Sequence, residues 1–284
     1  MRDTGLVLEG GGLRGVYTAG ILEYFLKQDI QFPNVIGVSA GACNAASYIS
    51  KQEKRNYAIT VGYAGNPDYL SVRRLFRHGE LFNMDLIFDR IPNKEYPFDY
   101  ETFFKNEQQL YTGVTDCLTG ETIYYNKNEV RHDLNKILRA SSSLPMIAPV
   151  VYHNDRPLLD GGISDPIPVN YSISLGNRKH VVVLTQEKGY QKQPAKRGMW
   201  YFEKKYKHFP GLVDVVKRRF TIYNNLLKKV EQLEEDGQAF VFRPENLQGV
   251  GRIEKNAGKL DELYQHGYEH AKSRQKEMEL FLKS

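Results

Sequence analysis

No apolar run in this chain approaches the roughly 18 residues that a membrane-spanning helix needs, so the sequence predicts none. Cysteine is scarce. Cys43 and Cys117 stand apart, with neither metal-ligand spacing nor the clustered pattern of a disulfide framework. No metal or cofactor is therefore expected, and a reduced cytoplasm fits best. The glycine loop beginning at Gly10 leaves no room for a signal peptide ahead of it. Internal repeats and low-complexity tracts are missing, and charge of one sign is not in excess: 39 Lys and Arg against 34 Asp and Glu leave +5, which by itself identifies no partner. What remains is ordinary globular composition, 41% hydrophobic and 26% charged over 284 residues, long enough for a sizeable core.

Two glycine loops stand out against that background. Gly37-Val38-Ser39-Ala40-Gly41 sets a serine between glycines, after a strand supplied by Val35, Ile36 and Val38 and before a thin helix of Ala42, Cys43, Ala45 and Ala46. A serine at such a sharp strand-to-helix turn is held exposed in strained geometry, with the free N–H groups of the helix N-terminus aimed at what it attacks. Upstream, the apolar Leu6-Val7-Leu8 runs through Glu9 into Gly10-Gly11-Gly12-Leu13-Arg14-Gly15 and an amphipathic helix from Val16. Successive glycine N–H groups suit either a phosphate or an oxyanion. Gly10, Gly12 and Gly15 have the spacing of a dinucleotide fingerprint, yet the next strand ends in Gly37-Val38-Ser39 rather than in the acid that would hold a ribose. Asp29 precedes Phe32 and Pro33 in the connecting loop, and the lack of GKS or GKT excludes a P-loop. Two loops leaving neighbouring strands at one edge of a parallel sheet favour the oxyanion reading, with Gly10, Gly11 and Gly12 facing Ser39.

The usual base for such a serine is a histidine that follows an acid in chain order. His78, His132 and His153 come too early, His180 begins the apolar strand Val181 to Leu184 at its wrong end, and His208, His266 and His270 lie in charged helical sequence. Asp160 is the better candidate, because it ends the apolar Leu158-Leu159 and is followed by the turn glycines Gly161 and Gly162.

These three motifs, in this order and spacing, resemble the patatin-like phospholipase family; Ala140-Ser141-Ser142-Ser143-Leu144-Pro145, with Pro149 after it, is similar to the segment leading to that family's aspartate strand. The resemblance covers about residues 6–169. It implies a three-layer α/β/α fold with a mostly parallel sheet and a helical C-terminal extension. It further implies that Ser39 is the nucleophile, Asp160 its only base, and Gly10 to Gly12 the oxyanion hole, with Arg14 and Ala40 as supporting positions and Gly15, Gly37, Gly41, Gly161 and Gly162 shaping the turns. The expected reaction is hydrolysis of acyl esters of phospholipids or lysophospholipids. Asp160 then needs partial burial to lift its weak basicity. Asp165-Pro166 departs from the family, which often carries asparagine there.

The expected organisation is a catalytic core over residues 5–175 and a late core strand with a basic, mainly helical region over 176–284. Residues 66–104, punctuated by Pro67, Pro92 and Pro97, read as a cap, with Leu70, Leu75, Phe76, Leu81, Phe82, Met84, Leu86, Ile87 and Phe88 as candidates for an acyl channel or for core. A hairpin of Leu110 to Cys117 and Thr122 to Tyr125 follows, then a helix over Asn128 to Ala140; later come a helix over Phe220 to Leu233, a strand over Ala239 to Phe242 and a helix over Gly258 to Leu282. Between Lys188 and Arg219 ten bases, Lys196 and Arg197 among them, face only Glu203 and Asp214. Met199, Trp200, Tyr201, Phe202, Tyr206 and Phe209 interleave with that charge, which suits peripheral contact with an anionic membrane through residues 196–219. Packing of those aromatics on the core is the plainer reading. No nucleic-acid partner is expected, since no RNA-binding motif accompanies the cluster. The competing function is a catalytically idle lipid-binding protein using the same pocket; intact Ser39 and Asp160 argue against it.

Overall fold

Thr4–Leu8 form strand β1, and all five residues are buried, as a central parallel strand covered on both faces requires. In the computed structural model, which describes residues 3–195 and 198–284, the chain continues through helix α1 (Val16–Lys27), β2 (Asn34–Val38), α2 (Ala40–Ile49), α3 (Arg55–Thr60), α4 (Val72–His78) and α5 (Tyr100–Lys105). It then forms β3 (Gln109–Asp116), β4 (Thr122–Asn126), α6 (Leu134–Ser141), β5 (Val151–His153), β6 (Arg156–Asp160), α7 (Val169–Ser174) and β7 (Lys179–Val183). The C-terminal part supplies α8 (Met199–Lys205), α9 (Pro210–Glu235), β8 (Ala239–Phe242), α10 (Ala257–Ser273) and α11 (Gln275–Lys283). Lys196 and Arg197 of the basic segment lie outside the described residues.

The strands form one sheet in the order β5-β6-β3-β2-β1-β7-β8, with β4 paired to β3. Its centre, β3 through β8, is parallel; β4, β5 and β6 pair antiparallel. Period-2 alternation divides the core between the two faces. Leu6, Leu8, Val35, Val181, Val183 and Phe242 point to the side of α1, α2 and α10, whereas Val7, Ile36, Val182 and Val241 meet Tyr223, Leu226 and Val230 of α9 on the other. The result is the three-layer α/β/α architecture. β7 and β8, both late in the chain, complete the sheet beside β1.

One feature of register positions everything that follows. Residues 111–115 of β3 pair with β4 on one edge. On the opposite edge, residues 109–113 pair with β2 running parallel, and residues 114–116 pair with β6 running antiparallel. β2 and β6 therefore run toward each other along a single edge of β3, and the chain leaves both where they meet.

Three helix boundaries differ from the sequence expectation: the helix expected from Phe220 already starts at Pro210, where proline suits the first turn. The helix expected from Asn128 starts only at Leu134, because side chains capture the backbone before it: Asn128 N donates to Asn126 Oδ1 at 2.9 Å and Asn126 N to Glu129 Oε2 at 3.1 Å. The terminal helix divides at Arg274, whose guanidinium stacks 4.2 Å from the Phe240 ring and donates to Val241 O at 2.7 Å. The segment read as a cap contains α4, a π-helical stretch over Leu86–Glu95 around Pro92, and α5.

Candidate active site

Ser39 sits at the end of β2 with φ 54° and ψ −130°, a conformation rare for a residue with a side chain and costing about 1–3 kcal/mol. The surroundings hold it there: Ser39 N donates to Ser141 Oγ at 2.8 Å, and Ser141 Oγ donates to Gly113 O of β3 at 2.7 Å. Ser141, the last residue of α6, thus ties the turn to the strand that sets its register. Gly37 and Gly41 flank the turn, and Gly15 packs against Ala40, which borders the cavity described below.

Asp160 arrives from the opposite direction at the end of β6. Ser39 Oγ donates to Asp160 Oδ2 at 2.7 Å, while Gly162 N donates to Asp160 Oδ1 at 2.7 Å. One carboxylate oxygen is fixed by the backbone and the other is given to the serine. The turn after Asp160 needs glycine at 161, because a Cβ there would lie 2.1 Å from Gly113 O. Burial raises the Asp160 carboxyl above its ordinary value, while the bond from Ser39, the Arg219 charge, the bond from Gly162 and the Arg252 charge pull it back.

The loop after β1 lies against this pair. Gly10, Gly11 and Gly12, with Ser39, Asp160, Gly162 and Arg252, line a polar recess of about 20 Å³, room for roughly one oxygen atom. Gly12 adopts φ 58°, and Leu13 N donates to Arg252 O at 3.1 Å. On its other side Ser39 opens into a cavity of about 390 Å³ with mainly apolar walls. Of the cap residues singled out from sequence, Phe82, Met84, Ile87 and Phe88 line it. Leu70, Leu81 and Leu86 are instead buried in the core, Leu75 packs against it, and Phe76 points outward at 85% exposure.

Arg14 is buried rather than at a solvated helix start, and its charge lies beside Glu9. Glu9 escaped the sequence reading. It is buried at the end of β1, accepting from Thr185 N at 2.6 Å and Tyr223 OH at 2.9 Å. Arg219 and Arg252 were also missed as site residues. Arg219 Nε and Nη2 both donate to Gly162 O, at 2.9 and 2.8 Å. The one available signal was an acid beside the glycine loop, with no hint in the sequence of which distant base would answer it. No histidine borders the cavity or the recess; His180 meets Ser172 and His270 meets Tyr17. Burial lifts the Cys43 thiol to about 11, so it is protonated at neutral pH.

Residues 6–173 match the family model described as Patatin-like phospholipase, and residues 209–283 match one described as a domain of unknown function (DUF6363). The uncharacterized protein YjjU of Escherichia coli (strain K12) is 27% identical over 258 residues, covering 86% of this chain and 70% of YjjU. Lysophospholipase nte1 of Aspergillus terreus is 25% identical over 297 residues, covering 95% of this chain and 18% of the fungal protein. Among solved structures, VipD from Legionella pneumophila superposes with a TM-score of 0.50 at 12% identity, covering 96% of this chain and 66% of VipD, a likeness of fold.

Proposed function

The chain belongs to the patatin-like phospholipase family and is a lipid ester hydrolase, and we propose that it cleaves acyl esters of phospholipids or lysophospholipids through a Ser39-Asp160 dyad. Asp160 Oδ2 accepts the proton as Ser39 Oγ attacks the ester carbonyl, and the developing oxyanion enters the recess beside the N–H groups of Gly10 to Gly12. The leaving alcohol takes the proton from Asp160, and the acyl-enzyme remains. Water then attacks with Asp160 again as base, Asp160 returns that proton to Ser39 Oγ as it leaves the acyl carbon, and the fatty acid departs. A buried carboxylate with a raised pKa is a better base than a solvated one, and each oxyanion donor is worth about 3–4 kcal/mol of transition-state stabilisation.

The observation that carries the reading is the 2.7 Å bond between Ser39 and Asp160 at the wall of an apolar cavity. A fluorophosphonate probe tests it. Wild-type protein is expected to label and Ser39→Ala not to, while Asp160→Asn loses about a hundredfold or more of its esterase activity. Full activity in Asp160→Asn would remove Asp160 from the mechanism.

Peripheral membrane contact belongs to the same proposal in narrowed form. Trp200 is 72% exposed and Tyr201 stands out beside it, with Lys204, Lys205 and Lys207 close in sequence. Phe202 and Tyr206, assigned from sequence to the same patch, are buried against Leu212 and Val215 and serve the core. Trp200→Ala is expected to reduce sedimentation with anionic vesicles, and unchanged sedimentation would exclude α8 from the contact. No helix among the described residues is long and apolar enough to cross a membrane.

A further inference from the structure

Charge around the dyad is out of balance. The cations Arg14, Lys192, Arg219 and Arg252 gather about the carboxylates Glu9 and Asp160. Both carboxylates are occupied: Glu9 by Thr185 N and Tyr223 OH, Asp160 by Gly162 N and Ser39 Oγ. Three of the cations also have work. Arg14 faces Glu9, Arg219 is bound to Gly162 O, and Lys192 lies 5.1 Å from the centroid of the Tyr223 ring. The half-buried Arg252 guanidinium has no hydrogen-bond or ion-pair partner among the described residues, a lack that Arg14 and Lys192 share, but of these three only Arg252 borders the cavity and the recess beside Ser39. Lys192 registers the surplus: burial and the neighbouring Arg219 and Arg252 charges push its ammonium down to about 7.

Arg252 is also placed where a ligand must pass. It borders both the apolar cavity and the polar recess, and those two spaces share Ser39. Its backbone is pinned to the glycine loop by the bond from Leu13 N, with so little space that a Cβ on Gly12 would lie 2.7 Å from Arg252 O. The anchor holds the Arg252 backbone beside the glycine loop, and its charge reaches Asp160. In a glycerophospholipid the short glycerol separates ester and phosphate, so an acyl chain in the cavity and a carbonyl at Ser39 bring the phosphate to the rim of the site.

We infer that Arg252 determines substrate specificity, its guanidinium receiving the headgroup phosphate of a phospholipid or lysophospholipid and setting these apart from neutral acylglycerols. The inference rests on the proposed ester hydrolysis for the placement of the acyl chain. It also gives the domain of unknown function a task, since Arg252 lies within the residues matched to it.

Non-hydrolysable ligands separate this inference from the reaction itself. Binding of the decyl ether of glycerol phosphate is compared with that of phosphate-free decyl glycerol, below micelle-forming concentrations, in wild type, Arg252→Gln and Arg252→Lys. Wild type is expected to favour the phosphate-bearing ether by about tenfold to a hundredfold, as a charge-assisted hydrogen bond to a partly buried group implies. Arg252→Gln should lose that preference and Arg252→Lys keep most of it, which also guards against loss of fold. A preference unchanged in Arg252→Gln overturns the inference. So does binding of inorganic phosphate alone that is as tight as binding of the phosphate ether and depends on Arg252, because the site would then be one for free anions. Arg252-dependent binding without cleavage of any corresponding ester would leave the inference standing and overturn the proposed reaction.

Discussion

Arg219 reaches Asp160 through one carbonyl: its two N–H groups hold Gly162 O, and Gly162 N holds Asp160 Oδ1. Its charge also favours the ionised carboxylate that proton acceptance requires. Removing that charge in Arg219→Met should raise the Asp160 pKa further, so the acidic limb of kcat/KM against pH moves to higher pH; a purely structural arginine would lower the rate without moving the limb. Asp165 makes a second prediction. Burial pushes its carboxyl up to about 7 from 3.8 against the opposing bond from Tyr124 OH at 2.5 Å, so ionising it opposes folding. That cost is not incurred below the unfolded value and grows as pH rises toward 7, reaching at most ~4 kcal/mol. Asp165→Asn should melt progressively higher than wild type from about pH 5 to about pH 8, and a constant gap would count against a costly carboxylate. Ser39, Asp160 and the glycines were legible because strained turns and backbone-donor loops restrict residue types over a few positions. Glu9, Arg219 and Arg252 were not, because a lone acid and two late arginines acquire meaning only once the sheet brings together positions some 200 residues apart.

Helices α1 and α10 touch backbone to backbone. A Cβ on Gly20 would lie 2.0 Å from Tyr264 O, and one on Gly267 would lie 2.1 Å from Tyr17 O. Either helix must therefore move to accept alanine, and Gly267→Ala is expected to cost about 1–3 kcal/mol in chemical denaturation, despite alanine's better helix propensity. A gain in stability would show that the contact is looser than described. The cap carries its own expectation: Ile87→Trp fills part of the apolar cavity and should shift preference from long to short acyl esters, read as the ratio of their kcat/KM values. Sequence periodicity found the strands of the sheet other than the short β5, and most of the long helices although it began α9 late, because burial on one or both faces repeats regularly. It overran at Asn128, where side chains outcompete the helix, and at Arg274, where the sheet captures a guanidinium; neither event has a periodic signature. It also could not sort the cap's apolar residues between cavity wall, core and surface, since all three draw on the same residue types.

Across the whole molecule the sheet joins the two ends of the chain. β1 is paired with β2 on one side and β7 on the other, and β8 and α9 cover what would otherwise be an open edge and an apolar face. Deleting residues 209–284 should therefore yield a chain that is aggregated and unlabelled by fluorophosphonate, rather than a smaller enzyme; a soluble, labelled fragment would show that residues 1–208 form a sufficient unit. The opposed strands β2 and β6 add a consequence of another kind. A single strand acts as a jig for both, so strand pairing sets the spacing of Ser39 and Asp160. A one-residue slip of either partner reverses the faces of its side chains and takes serine and carboxylate out of reach of each other. A copy paired in the wrong register would thus lack the Ser39–Asp160 pair altogether and be inert toward esters.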